Sequence, residues 1–88
     1  MSGFNNEIKY KGISLHVQTQ DKGLQAQYVE TLIYKAGRLI FSQKSSYTQF
    51  LEDPALKTKI AQIMEKQHFT FLNEIYDGKY DRYLLSER

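Results

Sequence analysis

The sequence predicts an α+β fold: a three- to four-stranded antiparallel β-meander followed by one long C-terminal α-helix packed on one face of the sheet. Three observations predict it. The first half of the chain alternates apolar and polar residues at the strand period of two, as in Ile13, Leu15 and Val17 against Ser14, His16 and Gln18. Short connections carrying Gly12 and Gly37 separate apolar runs, which favours consecutive hairpins. From Pro54 to Asp77 the chain has no glycine and no second proline, and Gly78 follows. One helix laid on one antiparallel sheet makes two layers around a single core.

Taken in order, Ile8-Lys9-Tyr10 opens the first strand, Lys11-Gly12 reads as a turn, and Ile13 to Val17 completes a hairpin. Gln18 to Gln27 is rich in glutamine and broken by Asp21-Lys22-Gly23, so it reads as a long exposed loop or a twisted hairpin end. Tyr28, Val29, Thr31, Ile33 and Tyr34 are strand formers. Lys35-Ala36-Gly37-Arg38 turns the chain into a fourth strand that opens at Leu39 to Phe41 and becomes polar by Lys44, so the strands occupy about residues 8–44. Ser46 to Leu51 is expected to form one helical turn with Tyr47, Phe50 and Leu51 toward the sheet.

Asp53-Pro54 marks the clearest boundary. Aspartate accepts from free N–H groups as an N-cap, proline suits the first helical position, and acidic residues favour the positive end of the helix dipole. The helix is expected over about residues 54–77, roughly 36 Å at 1.5 Å per residue, with Gly78 past its end. The tail, residues 79–88, holds Tyr80, Tyr83, Leu84 and Leu85, too many apolar groups for a segment lying wholly in water. Residues 1–88 read as a single domain without internal repeats.

The 88 residues are 41% hydrophobic and 14% aromatic, enough for a small core and too rich for a disordered chain. With no cysteine there is no disulfide scaffold, cysteine-bound zinc or thiol nucleophile. No apolar run approaches the roughly 20 residues that span a bilayer. Met1 to Asn6 carries neither a basic nor an apolar stretch, so no signal peptide is expected, and the expected location is the cytoplasm. The net charge of +2 is mild for a dedicated phosphate binder. Residues 1–44 carry six Lys or Arg against three acids and residues 45–88 six against seven, so a basic surface belongs to the first half.

At 100° per residue, Leu56, Ile60, Ile63, Met64, Phe71 and Ile75 share one broad arc of the helix, wide enough to pack on a sheet. Phe69 and Tyr76 lie on the opposite side, with Leu72 between the two faces. One small sheet cannot cover both sides, so a second copy, the tail or another protein must. Self-association is the preferred reading: a homodimer through Phe69, Leu72 and Tyr76, with the tail residues Tyr80 and Tyr83 also expected at the interface.

Candidate chemistry is sparse. Glu65-Lys66-Gln67-His68 has the Glu-x-x-His spacing that di-iron bundles use in pairs, but here it occurs once, and the ordinary reading is a boundary histidine with an acidic neighbour. No serine stands in a Gly-x-Ser-x-Gly elbow, and the five glycines are scattered singly rather than forming a phosphate loop. No catalytic, cofactor-binding or metal-ligating residue is assigned and no cofactor is expected. The sequence reads as a non-enzymatic, cytoplasmic protein-interaction or assembly module that self-associates. The alternative is a nucleic-acid-binding module whose sheet presents Lys9, Lys11, Tyr28, Tyr34, Lys35 and Arg38, since aromatics on a sheet can stack bases. Against it stands the ordinary reading, in which aromatics fill the core and lysines protect sheet edges.

His16-Val17-Gln18-Thr19-Gln20-Asp21, the following hairpin, Glu65-Lys66-Gln67-His68 and Gly78-Lys79-Tyr80-Asp81 together resemble a small bacterial domain family of unknown function, over about residues 8–81. The resemblance implies a free-standing bacterial module. It attaches no activity, and it brings forward His16, Gln18, Asp21 and His68 as residues to follow.

Overall fold

The computed structural model describes residues 3–85. Strands β1 (Gly3–Tyr10), β2 (Ile13–Asp21), β3 (Tyr28–Lys35) and β4 (Arg38–Ser46) form one antiparallel sheet in the order β1-β2-β3-β4. A 3-10 turn (Thr48–Phe50), helix α1 (Leu56–Tyr76) and a short helix α2 (Asp81–Leu84) follow. The α+β architecture expected from the sequence is present: a four-stranded meander with one long helix across one face.

The hairpins β1–β2 and β3–β4 close through two-residue turns, Lys11-Gly12 and Ala36-Gly37. All four turn residues have positive φ, at 50°, 80°, 53° and 77°. That turn geometry carries the same right-handed twist as the strands it joins.

Two strand boundaries differ from expectation. β1 begins at Gly3 rather than near residue 8, because Phe4, Asn5 and Asn6 pair with Thr19, Gln18 and Val17. Asparagine is a poor strand former, so pairing and packing override local preference. β2 likewise runs through Gln18 and Gln20 to Asp21, which shortens the expected loop to residues 22–27. Those glutamines lie on the face of the sheet away from the helix, where a one-sided antiparallel sheet takes polar residues. Gly3 sits so close to β2 that a Cβ there would lie 2.7 Å from the Thr19 carbonyl oxygen.

α1 starts two residues later than expected. The Asp53 carboxylate accepts the Ala55 N–H at 2.7 Å, and the Asp53 carbonyl accepts the Leu56 N–H at 3.0 Å. Asp53 therefore folds a turn ahead of the helix, with Pro54 and Ala55 inside it, instead of capping the helix. The other end matches expectation. Gly78, at φ 88°, donates to Ile75 and Lys79 donates to Glu74, each at 3.0 Å, the paired bonds of a Schellman motif.

The sheet face under α1 holds two apolar clusters. Tyr10, Leu15, Val17, Ile33, Phe71, Ile75, Tyr80 and Leu84 form one. Val29, Tyr47, Ile60 and Met64 form the other, with Phe50 of the 3-10 turn and Leu51 just after it against it as expected. Each fully buried aliphatic contributes about 1.5–3 kcal/mol. The tail turns back as α2 and drives Tyr80 and Leu84 into the first cluster; its last three residues, 86–88, lie outside the described residues.

Candidate interaction surfaces

Among the described residues, Thr19, Thr31 and His68 are the buried polar residues between sheet and helix, each at 0% exposure. Strand parity places Thr19 and Thr31 inward, in line with Val17 and Ile33, and the two are register partners. Their hydroxyl oxygens are 2.7 Å apart. His68 Nδ1 lies 2.8 Å from Thr19 Oγ1, and Nε2 lies 2.7 Å from the side-chain oxygen of Asn6. Gln67 Nε2 donates to Thr31 Oγ1 at 2.9 Å, and its oxygen accepts from Ser45.

The donors run in one direction. Asn6 presents a carbonyl oxygen, so Nε2 carries the imidazole proton and Nδ1 accepts from Thr19. Thr19 then accepts from Thr31, and Thr31 from Gln67. This bridge ties α1 to all four strands with every buried side-chain polar atom satisfied among the described residues. Burial pushes the His68 pKa below its ordinary value, because a charged ring would lose its water. Phe4 stacks on the ring at 5.2 Å between centroids, and Phe69 meets its edge at 5.2 Å. Glu65 is exposed while His68 is wholly buried, so the Glu-x-x-His pair does not converge on a shared position.

The five residues expected at an interface separate into three places. Phe69 and Tyr76, 43% and 53% exposed, lie on the flank of α1 beside β1. Phe4 meets Phe69 edge-on at 5.6 Å, and Tyr10 meets Tyr76 at 6.0 Å, so each is covered only in part. Leu72 sits between them, half-buried against the first core cluster. Tyr80 does not belong to that surface: it is 6% exposed, stacked on Phe71 at 5.7 Å and packed on Phe41 at 5.0 Å, because the chain reverses at Gly78 and brings it over the core. Burial and a hydrogen bond to Glu74 raise its pKa. Tyr83 is exposed but lies against Phe41 of β4, away from the β1 flank. The described part of the tail, through Leu85, therefore leaves Phe69 and Tyr76 open.

The residues of the alternative nucleic-acid face also disperse. Lys9, Tyr28 and Tyr34 lie on the sheet face opposite α1, and Arg38 projects from the β3–β4 hairpin. Lys11 instead pairs with Asp81 at 3.1 Å, where Tyr10 donates to the same carboxylate at 2.7 Å, and together they hold that carboxyl below its usual range. Lys35 lies on the helix side and donates to the Leu84 carbonyl at the end of α2. The open face also carries Glu7 and Glu30, so it is not a continuous basic surface.

His16 stands in the middle of that open face, with Nδ1 3.1 Å from Glu7 and Nε2 2.8 Å from the Asn5 side-chain oxygen. Gln18 lies on the same face. Asp21 belongs to the core end instead: it accepts the Gly23 N–H at 2.9 Å and the Tyr47 hydroxyl at 2.6 Å, which fastens the 22–27 loop. Sequence reading missed Asn6, Thr19, Thr31, Gln67 and Ser45 as a unit; the inward parity of the two threonines was the available signal. Among the described residues no three His, Cys, Asp or Glu side chains converge to hold a metal ion. No helix is long and apolar enough to cross a membrane among them. No family model, curated protein or solved structure matches the chain.

Proposed function

We propose that this chain is a small, non-enzymatic, cytoplasmic interaction module that self-associates through the β1 flank of α1. One observation carries the reading: Phe69 and Tyr76 stand 43% and 53% exposed on that flank, with half-buried Leu72 between them. The flank runs beside β1, an edge strand with one side unpaired among the described residues. A face of this kind, aromatic and bordered by free backbone groups, suits an isologous contact about a two-fold axis. A stable contact of this class buries on the order of 1,200–2,000 Å² in total, which calls on the strand edge as well as the helix.

The non-enzymatic part of the reading rests on the histidines. Both ring nitrogens of His68 are engaged inside the core, and both of His16 face Glu7 and Asn5. Ser14 shares a surface hollow with His16 but makes no hydrogen bond to it, so the base-activated nucleophile that covalent catalysis needs is not assembled there. The nucleic-acid reading keeps Lys9, Tyr28, Tyr34 and Arg38, while Lys11 and Lys35 are committed to α2.

Light scattering on a sizing column at low and high salt tests the proposal. The expected result is a dimer whose mass does not change with salt and which Phe69→Asp with Tyr76→Asp converts to a folded monomer. A wild-type monomer at all concentrations would refute it. Binding to an oligonucleotide that weakens steeply with salt would favour the other reading.

A further inference from the structure

On the opposite flank of α1, β4 forms the other edge of the sheet. Between β4 and α1 runs an open groove of about 320 Å³. Ile63 and Phe71 give it an apolar lining, Ser45 and Gln67 meet across it, and Lys66 and Thr70 stand on its helix wall. β4 pairs with β3 alone, so among the described residues its outer backbone groups have no strand partner, and the Gln67 amide reaches across to the main-chain oxygen of Gln43 at 3.3 Å. An edge strand beside a helix, with an apolar trough between them, is the arrangement that accepts an extended peptide by strand addition.

The charges select the occupant. β4 contains Arg38 and Lys44 and no acidic residue, and the groove lining contains Lys66 and no acidic residue. Lys66 has no carboxylate within 4 Å among the described residues, while Asp53 pairs with Lys59 at 3.7 Å and Glu74 with Lys79 at 3.2 Å. Ser45 and Gln43 face the helix side while Lys44 faces the open side, so an added strand would meet Lys66 on one face and Lys44 on the other. We propose that the groove between β4 and α1 receives an extended acidic peptide segment of a partner protein, which joins the sheet as a fifth strand. Its inward side chains would alternate apolar groups over Ile63 and Phe71 with a carboxylate at Lys66. This surface lies across the helix from Phe69 and Tyr76 and does not depend on self-association.

The test is selection of a random peptide library displayed on phage against the full chain, followed by amide chemical-shift mapping with the enriched peptide. The expected peptides alternate apolar residues with Asp or Glu. Their binding shifts amides of residues 41–46 and 63–70, is lost when alternate peptide amides are N-methylated, and weakens at least about tenfold in Lys66→Glu. Lys66 is exposed and the variant is expected to fold, which its amide spectrum verifies. No enrichment, enrichment of unpatterned or basic peptides, shifts on the open sheet face or around Phe69, or unchanged binding in Lys66→Glu would each overturn the proposal. So would an RNA oligonucleotide that binds the groove residues while acidic peptides do not.

Discussion

Replacing His68 by leucine isolates the most consequential side chain in the core. The ring is fully buried, accepts from Thr19 and donates to Asn6. Leucine fills much of the volume but leaves two polar partners without a bond, at about 1–3 kcal/mol for each buried group left unsatisfied. At neutral pH the variant is therefore expected to be less stable by about 2–6 kcal/mol. The pH dependence is the sharper part. Burial lowers the folded pKa of His68, while in the unfolded chain the group titrates near 6.5. Between those values the unfolded state binds the extra proton. The wild type then loses stability as pH falls below about 6.5, by up to about 1.4 kcal/mol per pH unit, and the loss ends once pH passes the folded pKa. Leucine does not titrate, so the gap between wild type and variant must narrow as pH falls. Urea unfolding of both proteins at pH 7.5, 6.5, 5.5 and 4.5, values chosen to bracket the unfolded pKa of about 6.5, reads that gap while cancelling the carboxylates common to both. A gap that stays constant from pH 7.5 to 4.5 would refute the buried neutral imidazole.

Two further outcomes follow from single contacts. Tyr47→Phe removes a buried hydroxyl that donates to Asp21, and a loss of about 1–2 kcal/mol is expected by urea unfolding. Burial foremost, then the Asp21 hydrogen bond and charge, push the Tyr47 pKa up to about 12. Its contribution is therefore complete below the unfolded value near 10 and is lost as pH rises from there toward 12, so alkaline melting curves of wild type and Tyr47→Phe should converge. Gly3→Ala places a Cβ against the Thr19 carbonyl, which must separate the first pairs of β1 from β2. An expected loss of about 1 kcal/mol, with faster amide exchange at Phe4 and Thr19, checks it; unchanged exchange would show that the strands tolerate the added methyl.

The meander and the long helix were legible because their signals are local: alternation in Ile13 to Val17, turn glycines at 12 and 37, and an unbroken helical stretch to Gly78. β1 was half hidden because Gly3 to Asn6 has weak strand preference and is ordered by β2 and by Phe4 lying on His68. The helix start was displaced because Asp53 has two ways to satisfy nearby N–H groups, and the turn prevailed. Phe69 and Tyr76 were correctly placed off the core-facing arc, since 100° steps determine that geometry. Tyr80 was expected at the interface and lies in the core instead, because its burial depends on how the chain reverses after Gly78 and on Phe41 and Phe71 awaiting it. The polar bridge joins residues 6, 19, 31, 45, 67 and 68, and no spacing in one dimension encodes such a set.

The bridge also explains how one helix keeps a single position on an apolar sheet face. Leucine, valine and isoleucine contacts are non-directional, so sliding α1 by one turn would exchange one apolar contact for another at little cost. Hydrogen bonds do not slide. A shift of one turn, about 5.4 Å, would carry His68 beyond reach of both Thr19 and Asn6 and Gln67 beyond reach of Thr31, leaving several buried polar groups unpaired at once. The same lock sets both flanks of the helix. Because His68 faces inward, Phe69 must emerge beside β1, and Lys66 beside β4, where the sheet edge is open. Losing the bridge would thus disturb both surfaces together, although only Ser45 and Gln67 among its members line one of them. A variant that removes the polarity and preserves the packing, such as His68→Leu with Thr19→Val and Thr31→Val, separates stability from position. Recovered stability with altered amide shifts along both flanks is the expected outcome, and a spectrum unchanged there would show that packing alone positions the helix.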